Sequence, residues 1–522
     1  MTKYLLRRVL HGLVSIVIVV GIVMVLIYSL MDRQLIFAMD PVYQQQGNNQ
    51  KTTYRYRRWE EFGYIDYVPY AEWMQGLLQK GEIDQETLDG AVSLGRKAKN
   101  DSEATQEWVA KFTQDMEGKG YTVIRLDAVM ANKKKVASGG QQQLFAYKDK
   151  PLTSRLVKYV TGLITVDNIH WVKEDVGERK LTFTARDPVY GGRFSPAIIG
   201  NGTQHKYLLY FDNQFPWIHQ NLVTINLGKS YSVNAGVDVF ETMNVSQGSY
   251  VTRPTVYPTG LSEMSADDLH TATYAAGSRT TSLVNEERFT DDYTSVTTYK
   301  SGMSKVGYSF VIGIISVVLS YLLAVPLGII MARKKDRLVD KIGTIYIVFI
   351  LAVPSLAYIF LFKAIGYRMG LPTTFDMESG SWTMFVLPIV SLSLPSVASL
   401  MKWLRRYMID QMNSDYVKFA RSGGLSEREI FSKHILKNAV IPLVHGIPAS
   451  VLGSLIGAII TERVYVVPGA GNLLTKAINN YDNGVIVGVT LFYALLSVIS
   501  IIMGDILMSM VDPRISFTSK AR

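Results

Sequence analysis

The 522-residue sequence contains no cysteine. That absence excludes disulfide frameworks, thiolate zinc sites and cysteine nucleophiles. Its seven histidines form no H-E-x-x-H zinc pair, and no G-x-S-x-G elbow or dinucleotide fingerprint is present. Gly228-Lys229-Ser230 resembles the end of a phosphate loop, but the required earlier glycine is replaced by Val223. Charge is scarce: 19% of residues are charged and 48% hydrophobic. That is too apolar for an ordinary soluble enzyme and too polar for a bare helical bundle, so a membrane domain plus a sizeable aqueous one is expected. The net charge of +10 fits either nucleic-acid binding or basic residues gathered on one side of a membrane. Its distribution decides.

A bilayer core about 30 Å thick needs about 20 apolar helical residues. Val9–Leu30, Val306–Met331, Ile342–Ile365, Trp382–Met401, Val440–Ile460 and Val485–Met510 supply six such runs. The first follows Lys3, Arg7 and Arg8 and lacks a small-residue cleavage site, so it is expected to be a retained span rather than a signal peptide. Arg333, Lys334, Lys335, Arg337 and Lys341 fill the link after the second run. Lys402, Arg405, Arg406, Lys418, Arg421, Arg428, Lys433 and Lys437 lie between the fourth and fifth, and Arg514, Lys520 and Arg522 follow the sixth. With six spans all of these share a side with the basic N-terminus, which places both termini in the cytoplasm. Topology then accounts for the basic charge, and no nucleic-acid partner is expected. Pro326, Pro354, Pro388, Pro395, Pro442 and Pro448 interrupt the later runs, as plain structural kinks or as points of conformational change. Lys363 and Asp505, near span ends, are expected to snorkel to the headgroups.

The chain therefore divides into residues 1–31 with the first span, a 32–304 insertion expected to be extracytoplasmic, a 305–515 membrane core and a 516–522 cytoplasmic tail. The insertion is long enough to bury its own core. Ile83–Glu117 reads as helix with Asp101 or Ser102 as cap, while Lys180–Arg186, Lys206–Phe211 and Asn221–Leu227 read as strands. The expected fold class is an all-α polytopic membrane domain carrying an inserted α+β domain. Residues 277–303, rich in Ser, Thr, Asp and Tyr, read as a linker or extended cover.

The segment 414–437, between the fourth and fifth runs, holds the most specific local pattern. Ser414 can cap a short helix bearing Tyr416, Val417, Phe419 and Ala420, and Gly423-Gly424 ends it. Leu425 and Ser426 follow, and Ser426 with Glu429 forms a capping box opening a second helix with Ile430, Phe431, Ile435 and Leu436. Two short amphipathic helices thus meet at a sharp corner whose apolar face requires a partner: the bilayer, the bundle or another protein.

This corner resembles the cytoplasmic loop of ABC importer permeases, whose pattern is Glu-Ala-Ala, three residues, Gly, nine residues, then Ile-x-Leu-Pro. Here Lys418-Phe419-Ala420 precedes Gly424 at that spacing with only Ala420 matching, and His434-Ile435-Leu436-Lys437 keeps the Leu but not the Ile or Pro. Asp415 to Arg421, Gly424 to Glu427, and His434 to Ala439 before Ile441-Pro442 are similar to the oligopeptide and dipeptide subgroup. Tyr4 to Arg8, Asp212 to Pro216, Asn226 to Ser230, Leu387-Pro388 to Leu394-Pro395, Glu462 to Tyr465, Pro468 to Gly471 and Asp512-Pro513-Arg514 agree with it. The likeness is to the first membrane subunit of an oligopeptide permease, with an insertion over about 40–205 like that of streptococci and related Gram-positive bacteria. It implies a type I importer permease fold in the plasma membrane and a non-catalytic subunit with no cofactor of its own. ATP and Mg are expected in two partner ATP-binding subunits. A second homologous permease, a lipid-anchored extracellular peptide-binding receptor, membrane lipid and a peptide substrate are the other implied partners. It further implies that Tyr416, Phe419, Ala420, Gly423, Gly424, Leu425, Ser426, Glu429, Ile430 and Phe431 form coupling helices docked on the ATPases. Pro468, Gly469 and Gly471 read as a re-entrant turn at an external gate or as a plain turn. The competing readings are a membrane-anchored sensor and permeases for dipeptides, nickel or sugars.

Overall fold

The computed structural model describes residues 2–166, 171–173, 175, 177–187, 192–211, 218–232, 235–245, 247–250, 252–274, 283–291, 294–298, 302–376 and 381–511. The family-like segments 212–216 and 512–514 and the 516–522 tail lie outside them.

The membrane part consists of α1 (Thr2–Leu30), α2 (Lys305–Arg333), α3 (Leu338–Ala352), α4 (Ser355–Arg368), α5 (Val386–Met412), α6 (Asp415–Ser422), α7 (Ile447–Tyr465), α8 (Ala470–Asn479) and α9 (Asn483–Val511). Among the described residues four helices are long and apolar enough to cross a membrane, and up to six spans arise if each of two bent pairs counts as one. The expected third span is not straight, because α3 and α4 meet at 110°. Pro354 is the cause: it has no N–H to donate, and it pushes Val353 into the extended region at ψ 132°. The expected fifth run bends by 42° where Glu427–His445 gives way to Ile447–Ile456, between Pro442 and Pro448.

Helix α2 is central because one of its faces is small. Ser316, Ser320, Ala324 and Gly328 recur every four residues and are all buried, letting neighbouring backbones approach. A side chain on Gly328 would crowd Leu404 of α5 at 3.1 Å, and one on Gly313 would crowd Leu455 of α7 at 3.2 Å. Ser316 and Ser320 donate across the contact to the Ile389 and Ser393 carbonyls, at 3.2 and 3.1 Å. In the first turn of α3, Asp340 receives both Arg405 Nε and Nη2 at 2.6 Å and clamps α3 to α5.

Both of the span-end charges have partners within the chain. Lys363 Nζ donates to the Val464 carbonyl at the end of α7, at 2.8 Å. Asp505 is mostly buried against Arg8 of α1, at 3.1 Å, because α1 lies along α9 and brings a cation to it.

The insertion contains two units. In the first, Ile65–Pro69, Gln143–Asp149 and Thr122–Leu126 form an antiparallel sheet with Gln143–Asp149 in the middle. Helices Asn48–Glu61, Tyr70–Gln79, Gln85–Ala91 and Glu103–Gly118 cover it. The helix expected over 83–117 is two, because Ser102 caps the second: its hydroxyl accepts from Thr105 N at 3.1 Å. Asp101 instead holds Arg125 with paired bonds of 2.7 and 2.8 Å. Burial by itself would raise the Asp101 carboxyl, but the Arg125 bonds and the Gly95 N–H hold it below the usual carboxylate range. In the second unit, strands Leu181–Thr184, Ala197–Gly200, Tyr207–Phe211 and Ile218–Gln220 pair in that order. The stretch expected to be a linker or extended cover carries a helix, Leu283–Arg288, and a strand, Thr294–Thr298, paired with Asp267–Tyr274. Phe289 is buried in this unit's core, so hydrophobic anchoring orders a segment that is polar by composition.

The insertion is sewn to the last span through Asp482. Its buried carboxylate accepts from Ser230 Oγ at 2.6 Å and from the Tyr231 and Ser232 amides at 2.8 and 3.1 Å. Gly484 and Gly488 leave room for the carbonyls of Lys229 and Leu227, which any Cβ there would strike.

Candidate functional site

The corner predicted at 414–437 has the following form. Helix α6 ends in paired bonds from Leu425 N to Ala420 O, 3.2 Å, and from Gly424 N to Arg421 O, 3.1 Å. This is a Schellman stop, and it puts Gly424 at φ +81°, where a side chain is costly. Gly423 has a negative φ, −77°, open to any residue, so of the two glycines only Gly424 is required by conformation. Ser426 Oγ accepts from Glu429 N and the Glu429 carboxylate accepts from Ser426 N, both at 3.3 Å, closing the capping box. Arg421 then bridges the corner to Glu427 at 2.6 and 3.2 Å, and those bonds hold the Glu427 carboxyl below its ordinary range. Ser414 stands at the start of α6 but does not cap it; its hydroxyl donates back to Gln411 O at 2.5 Å.

The apolar residues of the corner divide. Val417, Ile430 and Ile435 are buried against Ala332, Leu404 and Met408 at the ends of α2 and α5. Ala420 and Phe431 are half-buried on the same cluster, with the Arg333 guanidinium 5.0 Å over the Phe431 ring. Phe419 is 75% exposed, and Tyr416 and Leu425 stand outward beside it. Tyr416 is fixed by a 2.5 Å bond to Gln411 Oε1 and a 3.1 Å bond from Asn438 Nδ2. The second helix runs as a π-helix over Ile430–Leu436. The corner is therefore rooted in the bundle on one side and presents an aromatic tip on the other.

The Pro468–Gly471 turn wraps a carboxylate that sequence patterning did not single out as a site. Glu462, near the end of α7, is fully buried. Its Oε1 accepts from Ser309 Oγ of α2 at 2.5 Å, and Oε2 from Gly471 N at 3.1 Å. Ala470 N in turn donates to Ser309 Oγ at 2.9 Å. The carboxylate sits at the N-terminus of α8, where unpaired amides and the helix dipole favour an anion. Cβ atoms on Gly469 would overlap this carboxyl and on Gly471 would strike Ile459, so both glycines serve close approach. Pro468 is half-buried beside them. The preceding Val466 takes φ +59°, an uncommon conformation for a β-branched residue. The available signal was a glutamate two residues past an apolar run and a few residues before Pro-Gly-x-Gly.

Between α4, α5 and α7 lies a cavity of about 400 Å³. Ser391, Ser396 and Ser399 of α5, Ser450, Ser454 and Thr461 of α7, and Tyr358 of α4 line it, together with Leu392 and Ile460. No charged residue is among its lining. Hydroxyls that both donate and accept can satisfy an uncharged amide without the cost of a buried ion.

Residues 324–517 match the family described as binding-protein-dependent transport system inner membrane component. The chain is also 36% identical over 527 aligned residues to the oligopeptide transport system permease protein AmiC of Streptococcus pneumoniae, covering 100% of this chain and 99% of that protein. The chain belongs to this family of membrane transport components. It is a multi-pass membrane permease by kinship as well as by helix composition. The dipeptide transport system permease protein DppB of Lactococcus lactis is 31% identical over 209 residues, covering 40% of this chain and 68% of DppB. The nickel import system permease protein NikB of Staphylococcus aureus is 30% identical over 200 residues, covering 38% of this chain and 59% of NikB. The corner, the Glu462 turn and the hydroxyl-lined cavity all fall within the matched family region, apart from Ser309, which precedes it.

Proposed function

We infer that the chain is a permease subunit of an ATP-driven oligopeptide importer. The observation that carries this reading is the end-to-end likeness to an oligopeptide permease, insertion included, where the dipeptide and nickel relatives match about two fifths of the chain. In this reading the subunit adopts a type I importer permease fold, with both termini cytoplasmic and residues 32–304 outside. It forms half of a pathway shared with a second permease. Two ATP-binding subunits supply ATP and Mg chemistry, and a lipid-anchored receptor delivers peptide.

The corner at 414–437 is the coupling element. Its double cap makes it stiff, its buried Val417 and Ile430 tie it to α2 and α5, and exposed Phe419 with Tyr416 and Leu425 enters a groove on the ATPase. Closure of the ATPases then moves α5 and α7 together and changes access to the cavity between them. Backbone amides of a peptide, identical at every residue, are the groups its serines and Thr461 would greet. The Glu462 turn stabilises the outer end of α7 at the gate. The test is uptake of labelled peptides of increasing length by cells deleted for this chain and by cells complemented with it. Loss of oligopeptide uptake restored by complementation is expected; intact peptide uptake in the deletion with loss of dipeptide or nickel uptake would assign another substrate.

A further inference from the structure

The helix Leu152–Thr161 packs on α1 well inside its apolar length. Leu156 lies within 3.5 Å of where a Cβ on Gly21 would stand. Gly21 is about 12 Å short of Ser29 along the helix axis, at the usual helical rise. The following ribbon pairs Ile164 with Ile225 and Val166 with Val223 on one face. Val157 on this helix and Ile164 and Val166 on the ribbon are 62%, 63% and 70% exposed. Left in water, so many exposed β-branched side chains on one short segment would be unfavourable.

Directly beside it is a cavity of about 340 Å³ with an apolar floor from Met24 of α1 and Val487 of α9. Its walls bear Arg155, Lys158 and Lys229, and also Lys150, which Asp66 holds at 2.8 Å. Arg155 stacks on the Tyr28 and Tyr64 rings at 3.8 and 4.2 Å. Among the described residues none of Arg155, Lys158 and Lys229 has a carboxylate within ion-pair distance. The one carboxylate lining the cavity, Glu61, is held by Arg58 at 2.6 Å. Tyrosines and basic side chains over an apolar floor form the pattern of a membrane–water interface.

We propose that Leu152–Thr161 and the 164–166/223–225 ribbon lie in the bilayer interface, and that this cavity holds the headgroup of an anionic phospholipid. The lipid phosphate meets Lys158, Lys229 and Arg155, and its acyl chains run over Met24 and Val487. Continuity with α1 and the matched charge single out lipid over a soluble anion, which would have no use for the apolar floor.

The absence of cysteine makes the test clean. The full chain carrying Val157→Cys or Val166→Cys, labelled with a small fluorophore, is reconstituted in phosphatidylcholine vesicles with or without phosphatidylglycerol. Quenching by doxyl-labelled lipid and protection from iodide are expected. Quenching by iodide alone places the face in water and overturns the proposal, and protection from both means that protein covers it and does the same. Selectivity is read from spin-labelled phosphatidylglycerol against spin-labelled phosphatidylcholine. Each of Lys158→Gln and Lys229→Gln should lower the preference about fivefold, the effect of one basic residue at an anionic surface. These residues lie at the cavity wall outside the buried core clusters, so folding is expected to survive, and the doxyl quenching of the Val157 label reports whether it does. Unchanged selectivity in the doubly substituted chain, or displacement by inorganic phosphate alone, removes the headgroup site.

Discussion

Phe419 offers the sharpest separation of coupling from folding. Its ring is 75% exposed at the tip of the corner, whereas Val417, two residues earlier on the same helix, is completely buried. An aromatic side chain carries about 200 Å² of surface, so docking Phe419 would remove about 150 Å² from water. At about 25 cal/mol per Å², less what alanine retains, Phe419→Ala should weaken ATPase binding by about 3 kcal/mol, on the order of a hundredfold. That is an upper figure, since association never returns the whole transfer energy. Phe419 belongs to no buried cluster among the described residues, so the thermal stability of the isolated subunit in detergent should change little. Val417→Ala should behave oppositely: about 2 kcal/mol of subunit stability lost, with docking affected only in proportion. The assay is retention of the ATP-binding subunits on the immobilised permease pair, titrated directly, with peptide-stimulated ATP hydrolysis as the functional reading. Retention and hydrolysis both unaltered in Phe419→Ala would refute the coupling assignment. A stability loss in that variant would show that the ring is packed within the subunit.

Gly424→Val forces a β-branched residue to φ +81°, at about 1–2 kcal/mol, and should abolish uptake without reducing membrane levels. Gly424→Asn tolerates that conformation and, with open space around the position, should transport near normally; equal loss in both would point to contact rather than conformation. Glu462→Leu leaves the Ser309 hydroxyl and Gly471 amide without their acceptor and should expose the Pro468–Gly471 turn to protease, while Glu462→Gln keeps an acceptor and should be milder. Arg405→Ala strands the buried Asp340 carboxylate and should lower subunit stability by about 3 kcal/mol in thermal melts. The Asp101 carboxyl lies below its unfolded value, so its contribution to the insertion is present at neutral pH and is lost as pH falls through the folded value. Asp101→Asn should therefore reduce stability at pH 7 and flatten the acid limb of a pH–melting curve; an unchanged acid limb would count against it.

The apolar runs and the Ser426–Glu429 box were legible because each is written in local sequence: length of an apolar run, spacing of a cap. The Schellman stop was legible too, since a glycine pair after an amphipathic turn has few other uses. The corner's two faces were not. Val417 and Phe419 look equally apolar in sequence, and only the approach of Leu404 and Met408 sends one inward and leaves the other at the tip. The same holds for 277–303, read as a linker or extended cover, where a buried Phe289 and strand pairing with Asp267–Tyr274 override a polar composition.

By itself the sequence determined that this is a polytopic membrane chain with a large insertion, no thiol chemistry, and a rigid double-capped corner between its later spans. These follow from transfer energies and backbone preferences that act over a few residues. Tertiary structure alone decided that Glu462 is enclosed by Ser309 and the Gly469–Gly471 turn. It also decided that Asp482 binds the 230–232 loop from 250 residues away in sequence. Such contacts depend on which small residues let two backbones meet, and that is set by the partner helix rather than by the segment's own pattern.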